Sequence, residues 1–277
     1  MKTKLLFSII ALIFGAACQN NDDITPNQLV TEALYNKYPT TDHVEWENER
    51  AYITASFRQD QLMHTVWFDH FGQWYMTEIE LNQKEKLPEI IRTAFENSIY
   101  KNGKIDDIDL LERLDTEIIY IIEVKQDEKE YHLCYSNDGV LIKAIEGDLN
   151  DDYEDYLPIN PIPSEITEFI QNHYPNARII EIDIERNYIE ADIIHEKQSK
   201  EVVFNTQKEW LHTHYDISQI TIEEVVLETL KQSEYKEYHI DDIEKYETPT
   251  GNYYLFELEK GKEVKIKIDT NGNLLNS

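Results

Sequence analysis

Two hydrophobic periods alternate along the chain. Apolar residues recur at helical spacing in four stretches, Gln28–Tyr38, Leu87–Ser98, Pro163–Tyr174 and Ile222–Ser233. In the third stretch Ile166, Phe169, Ile170 and Tyr174 share one face, and in the fourth Val225, Val226, Thr229 and Leu230 do. Pro88 and Pro163 stand at helix starts, where a missing N–H costs nothing, and Ser164 is placed to cap the third helix. The first and third helices end alike, in Lys37-Tyr38-Pro39 and His173-Tyr174-Pro175, because proline cannot continue a helix.

After each helical stretch the period shortens to two. Val264, Ile266 and Ile268 point one way and Lys265 and Lys267 the other, the pattern of a sheet with one wet face. The same register puts Val66 with Phe68, Leu133 with Tyr135, and Val202 with Phe204 inward. Polar turns follow the leading residues Phe68, Tyr135, Phe204 and Ile268, spaced 67, 69 and 64 residues apart. Gly72, Gly139 and Gly272 supply positive φ in three of these turns; the third lacks glycine and is expected to form a looser hairpin. The fold class expected is α+β: four tandem repeats, each a helix packed on an antiparallel four-stranded meander. A unit of about 65 residues has a thin core, so units are expected to pair edge to edge.

The sequence from Lys37-Tyr38-Pro39 through Val44-Glu45-Trp46-Glu47, Tyr52–Phe57 and Trp67-Phe68-Asp69 to Gly72 and Trp74 resembles the PepSY-like, β-lactamase-inhibitor-like domains of secreted bacterial proteins. Tyr246–Glu259 and Ile268-Asp269-Thr270-Asn271-Gly272 resemble them again. The resemblance implies tandem helix-plus-sheet modules arranged as two pairs, usually exported, often lipoproteins, and it brings no catalytic motif. The expected boundaries are repeats at 28–84, 85–146, 163–217 and 218–277. Between the halves runs a linker, 147–162, in an acidic, proline-rich stretch without apolar periodicity.

The N-terminus reads as an address. Lys2 and Lys4 precede an apolar run, Leu5–Phe14, too short to span a bilayer comfortably, and Gly15-Ala16-Ala17 leads to Cys18. This resembles a lipoprotein signal peptide, 1–17, with lipidation at Cys18, although Gly15 stands where a larger aliphatic residue is usual. The alternative is an ordinary secretory peptide. Residues 18–27 form an acidic tether, and Gln19-Asn20-Asn21-Asp22-Asp23 resembles the export signal of surface lipoproteins. The expected location is therefore the outer membrane, on its periplasmic or cell-surface side. With Cys18 acylated, Cys134 is the remaining thiol and no internal disulfide forms.

Charge narrows the partners. The 277 residues hold 26 Lys and Arg against 55 Asp and Glu, a net charge of −29. Such a body does not bind nucleic acid through its backbone phosphates, nor dock on anionic lipid through a basic face. The membrane contact expected is the N-terminal lipid, and the expected partner is an exported protein or peptide.

Candidate chemistry is sparse. Cys134 shares a strand face with His132, but Glu130 and Tyr135 beside it give no activating positive charge. His212, His214 and Asp216 lie on one strand face and could be zinc ligands, though histidines two apart on a strand are common. His64 and His70 flank a strand and turn. The clusters Asp22-Asp23, Asp106-Asp107-Asp109, Asp148 with Asp151-Asp152, and Asp241-Asp242 lack calcium-loop spacing and read as solvated loops. No catalytic residue, metal or cofactor is therefore assigned. Trp67 and Trp74 flank the first hairpin, and Trp67 points opposite to Val66 and Phe68. They are the candidate binding residues if that sheet face is open; a neighbouring unit covering them is the alternative. The expected function is a non-catalytic binding module using exposed sheet faces. The alternatives are an envelope hydrolase with paired carboxylates in a deep pocket, or a structural spacer.

Overall fold

A computed structural model describes residues 24–147, 153–159 and 161–275. The signal peptide, Cys18, most of the tether, and the aspartates at 22, 23, 148, 151 and 152 lie outside the described residues. The fold is α+β, with four α-helices and two eight-stranded antiparallel sheets. No helix among the described residues is long and apolar enough to cross a membrane.

A helix followed by four strands occurs four times along the chain. Helix α1 (Gln28–Lys37) leads to β1 (Glu45–Glu49), β2 (Tyr52–Gln59), β3 (Leu62–Asp69) and β4 (Trp74–Glu80). Helix α2 (Glu89–Asn97) leads to β5 (Lys104–Arg113), β6 (Ile119–Gln126), β7 (Lys129–Ser136) and β8 (Leu141–Glu146). Helix α3 (Ser164–His173) leads to β9 (Arg178–Ile184), β10 (Tyr188–His195), β11 (Gln198–Asn205) and β12 (Trp210–Asp216). Helix α4 (Glu224–Gln232) leads to β13 (His239–Glu247), β14 (Tyr253–Glu259), β15 (Glu263–Asp269) and β16 (Leu274–Leu275). Strands pair in chain order, β1 to β8 in one sheet and β9 to β16 in the other. The β4–β5 and β12–β13 pairings make each sheet continuous from one helix-plus-strands block to the next.

Each helix buries its apolar face on the strands that follow it. Val30 and Leu34 of α1 meet Ile53, Phe57, Val66 and Phe68. Ile91 and Phe95 of α2 meet Ile108, Ile122, Leu133 and Tyr135. Ile166 and Ile170 of α3 meet Ile189, Val202 and Phe204, and Val226 and Leu230 of α4 meet Phe256, Ile266 and Ile268. The inward positions expected from the alternation are thus the helix-facing ones, removed from water by the hydrophobic effect.

The turns after β3, β7, β11 and β15 close in one way. The amides of Gly72, Gly139, Lys208 and Gly272 donate to the carbonyls of Asp69, Ser136, Asn205 and Asp269. All four donors have positive φ, between 65° and 87°. The third hairpin is therefore not looser: Asn205 Oδ1 accepts from the amides of Gln207 and Glu209, as Asp69 Oδ1 accepts from Phe71 and Gln73. Gly72 lies so near α1 that a Cβ there would stand 2.8 Å from the Leu29 carbonyl oxygen. At the corresponding corner, Lys208 bonds Glu165 of α3 at 2.8 Å instead. Asn27 caps α1, accepting from the amides of Leu29 and Val30, and its Nδ2 donates to the His70 carbonyl. Ser164 does not cap α3. Pro163 occupies that position, and the Ser164 hydroxyl turns to Glu165.

The two halves meet across the first sheet's other face. Trp67, Met76, Leu111, Ile119, Ile121 and Cys134 are covered by Tyr153 and Tyr156 of the connecting segment and by Ile180 and Ile194 of the second sheet. Polar contacts fix this joint. Arg113 donates to the Ile180 carbonyl at 2.8 Å, Arg178 pairs with Glu117 and Asp138, and the Ser199 hydroxyl donates to the Ile142 carbonyl.

Candidate functional site

The corresponding face of the second sheet has a different lining. Side chains alternate across a strand, so the positions opposite Val202 and Phe204 are Glu201 and Val203. Register carries this face to His212 and His214 on β12, Glu244 and Tyr246 on β13, Tyr253, Leu255 and Glu257 on β14, and Lys265 and Lys267 on β15. On the other side it runs to Glu190 and Asp192 of β10 and Glu181 and Asp183 of β9. Part of this face forms an open groove of about 660 Å³, bordered by Ile142 and Lys143 of β8 and lined by Asp183, Glu190, Asp192, Glu201, His214, Asp216 and Glu244.

A ladder of rings crosses the face. His214 stacks on Tyr246 at 5.0 Å and Tyr246 on Tyr253 at 4.8 Å, with interplanar angles of 8° and 6°. His212 lies beside them, 5.4 Å from Tyr246 and 5.5 Å from His214. Burial lowers the pKa of both histidines; His214 also stands 3.5 Å from Glu201 and 3.9 Å from Glu244, which partner it when it is protonated.

Like charges crowd the rest of the groove. Burial raises the Asp183 carboxyl to about 6 and Asp192 to about 7. Burial, with repulsion from the neighbouring Glu201, holds Glu190 above the usual carboxylate range. Burial likewise raises Glu201 and Glu244. Lys143 reaches in from β8, pairs with Glu181 and lies 3.7 Å from Asp192. Burial opposes its charge, but these carboxylates outweigh burial and hold the ammonium well above its ordinary pKa.

The sequence-derived candidates scatter. Trp67 is 4 % exposed and sits in the joint between the halves, so of the two readings of this face it is the covered one that the structure has; its edge borders a second acidic hollow with Glu47, Glu49 and Glu78. Trp74 is on the opposite, helix-facing side, where its indole donates to Thr77 and Lys37 lies over its ring. The two tryptophans share no surface because the register shift between Trp67 and Phe68 aligns Phe68 with Trp74. Cys134 is buried, and burial, reinforced by Glu181, pushes its thiol up to about 12, far from a nucleophile's range.

The remaining candidates fall as follows. His212 and His214 lie on one face as expected, among the Tyr246 ring and, for His214, the carboxylates of Glu201 and Glu244. No group of three or more His, Cys, Asp or Glu among the described residues is arranged to hold a metal. His64 stacks on Phe57, and His70 lends its carbonyl to Asn27. The aspartates at 106, 107 and 109 lie in β5 and those at 241 and 242 in β13, not in loops. Asp106 pairs with Lys104 and Lys125, whereas Asp109 is 2 % exposed, accepts from Tyr153 and is raised by burial to about 8. Tyr246 and Tyr253 escaped the sequence reading. Their signal lay in the duplication: the facing positions of the first half are Leu111 and Ile119, paired in the same register.

The sequence profile of the β-lactamase-inhibitor-like, PepSY-like family matches residues 51–143, 151–198 and 187–276. No curated protein matches the chain. Among crystal structures, a BLIP-like protein of Bacteroides fragilis is similar at 33 % identity, over 47 % of this chain and 92 % of its own, with a TM-score of 0.44. A DUF2874 family protein of Bacteroides ovatus is 30 % identical over 46 % of this chain and 93 % of its own, with a TM-score of 0.45. One from Bacteroides uniformis is 26 % identical over 44 % and 90 %, with a TM-score of 0.43. With three matched segments spanning well over half its length, the chain belongs to the PepSY-like, β-lactamase-inhibitor-like family.

Proposed function

We propose that this protein is a lipid-anchored, non-catalytic binding module that engages an exported protein or peptide through the open face of its second sheet. It is built from four copies of one helix-on-meander unit at 28–84, 85–146, 163–217 and 218–277, joined two and two through 147–162. Cys18 carries the lipid and holds the protein at the outer membrane, on the periplasmic or cell-surface side. The observation that carries this reading is the asymmetry between the sheets: the chain covers the first sheet's face with its own tyrosines and isoleucines, and no such apolar cover lies over the ring-lined face of the second among the described residues. Half-buried aromatic side chains beside an open groove are favourable anchors for a partner.

Two measurements test it. Mass spectrometry of the protein from its native envelope should find Cys18 acylated and N-terminal. A photo-crosslinking residue at Tyr253 should give a discrete adduct in the envelope, while the same residue at Glu89 on α2 should not. Equal or absent adducts at both positions would reject the reading.

A hydrolase has one observation in its favour, the Glu190–Glu201 pair with raised pKa values.

A further inference from the structure

The two sheets are related position by position, and the residues that changed identify what the open one receives. Where the first sheet has Trp67, Met76, Leu111, Ile119, Ile121 and Cys134, register places Val203, His212, Tyr246, Tyr253, Leu255 and Lys267 in the second. An apolar, uncharged set suits a permanent cover. A set in which His212, Tyr246 and Tyr253 bring polar-edged rings and Lys267 a charge suits an occupant that is also found in water. The chain's own lysines mark both ends of the face. Lys143 enters from the first half against Glu181 and Asp192, and Lys267 lies over the outer Tyr253 ring at 5.2 Å. Between them no Lys or Arg among the described residues forms an ion pair with Glu190, Glu201, Asp216 or Glu244.

We propose that this face takes a lysine- or arginine-bearing extended segment of the partner, its cations placed among Glu190, Glu201 and Glu244 and its stems lying on the His214–Tyr246–Tyr253 ladder. The proposal deepens the binding reading above and rests on it. Three features select this occupant. The lining is acidic, so a cation replaces like-charge repulsion with attraction. The rings present π-electron faces and edges to the stem of a long cationic side chain. Lys143, already seated there, is the same chemistry supplied from within the chain. An acidic or purely aliphatic segment would meet uncompensated carboxylates.

The test uses the full chain and a short synthetic peptide in which arginine alternates with serine, read by fluorescence anisotropy at low and physiological salt. The wild type should bind it and should not bind the counterpart with glutamate in place of arginine. The triple variant Glu190→Gln, Glu201→Gln, Glu244→Gln should weaken binding by at least about tenfold. A charge-matched control, Glu89→Gln, Glu168→Gln, Glu228→Gln on the exposed sides of α2, α3 and α4, should leave it unchanged. Tyr246→Ala tests the ladder separately and should also weaken binding. Equal loss in the triple variant and its control would overturn the proposal, because binding would then follow net charge. No peptide binding, or saturable calcium binding in its place, would overturn it too. Neither outcome touches the Tyr253 crosslink, so failure of the cationic assignment and failure of the binding-module reading remain distinguishable.

Discussion

Lys208 shows how one position can change chemistry without changing geometry. Its backbone holds the left-handed conformation that Gly72, Gly139 and Gly272 adopt at the equivalent corners. A lysine is strained there, and the side chain gains a bond to Glu165 at the helix start that the glycine corners approach through their backbone. Gly72→Ala is therefore expected to destabilise the protein by about 1–3 kcal/mol, since the methyl group would press on the Leu29 carbonyl in a disfavoured φ region. Lys208→Gly should shift the thermal midpoint far less, relief of strain opposing loss of the ion pair. Cys134, buried with its thiol held high, should resist alkylation in the native state of a Cys18→Ser protein and react once denaturant exposes it.

Asp109 gives a second prediction at this scale. Its native pKa, about 8, exceeds the ordinary carboxylate value because burial disfavours the charge, and one carboxyl oxygen has no hydrogen-bond partner among the described residues. The unfolded chain loses this proton near pH 4 while the native state keeps it, so the contribution to stability falls as pH rises from about 4 to about 8 and is flat above. The slope is about 1.4 kcal/mol per pH unit at most. Asp109→Asn retains an acceptor for Tyr153 and should flatten that dependence, stabilising the protein at about pH 8 and little at pH 4 in urea melts.

At the scale of elements, the helices and strands were legible because each carries one period and one apolar face. Val66, Phe68, Leu133, Tyr135, Val202 and Phe204 face their helices, as alternation requires. Helix termini were legible through Tyr38, Tyr174 and the prolines, while the Ser164 cap was misplaced by one residue because Pro163 took the capping position. Which sheet face is covered was not legible. Trp67 does point away from Val66 and Phe68, but its cover comes from Tyr153 and Tyr156, in a stretch whose charges and prolines read as linker, and from strands more than 100 residues away. That decision belongs to the docking of two halves, which no local period encodes. The binding ladder hid for the same reason, since Tyr246 and Tyr253 look like ordinary strand residues until their partners across the duplication are seen to be covered. Tyr156→Ala should cost about 3 kcal/mol and increase binding of an apolar dye, the signature of opening this joint.

Over the whole molecule the excess of acid has a direction. The titratable groups lining the open groove are Asp183, Glu190, Asp192, Glu201, Asp216 and Glu244, with His214, Tyr215, Lys143, Lys197 and Lys200, and His212 lies beside His214. Burial raises the carboxyls, to about 6 for Asp183 and about 7 for Asp192, and lowers the histidines. Acidification therefore neutralises the carboxyls first as pH falls through about 7 to 6, and the arginine–serine peptide should bind progressively more weakly between about pH 8 and 5. Folding stability should move the opposite way. Raised carboxyls leave stability fully present below the unfolded value, about 4, and reduce it as pH rises toward their native values. A thermal midpoint that climbs from pH 8 toward pH 5 while peptide affinity drops is the paired outcome expected.

The cover over the first sheet also sets an order of events during synthesis. The half that emerges first is the one with Trp67, Met76, Leu111 and Ile121 on a bare face, and Ile194 is made almost fifty residues after that sheet's last strand is complete. At ordinary elongation rates this leaves roughly 2–10 s in which a nearly finished domain shows a sticky flank to its surroundings. The later half, whose own open face is polar, has no such interval. A nascent chain with residues up to about 150 emerged should therefore be a favoured client of holding chaperones, and one with residues past about 200 emerged should not.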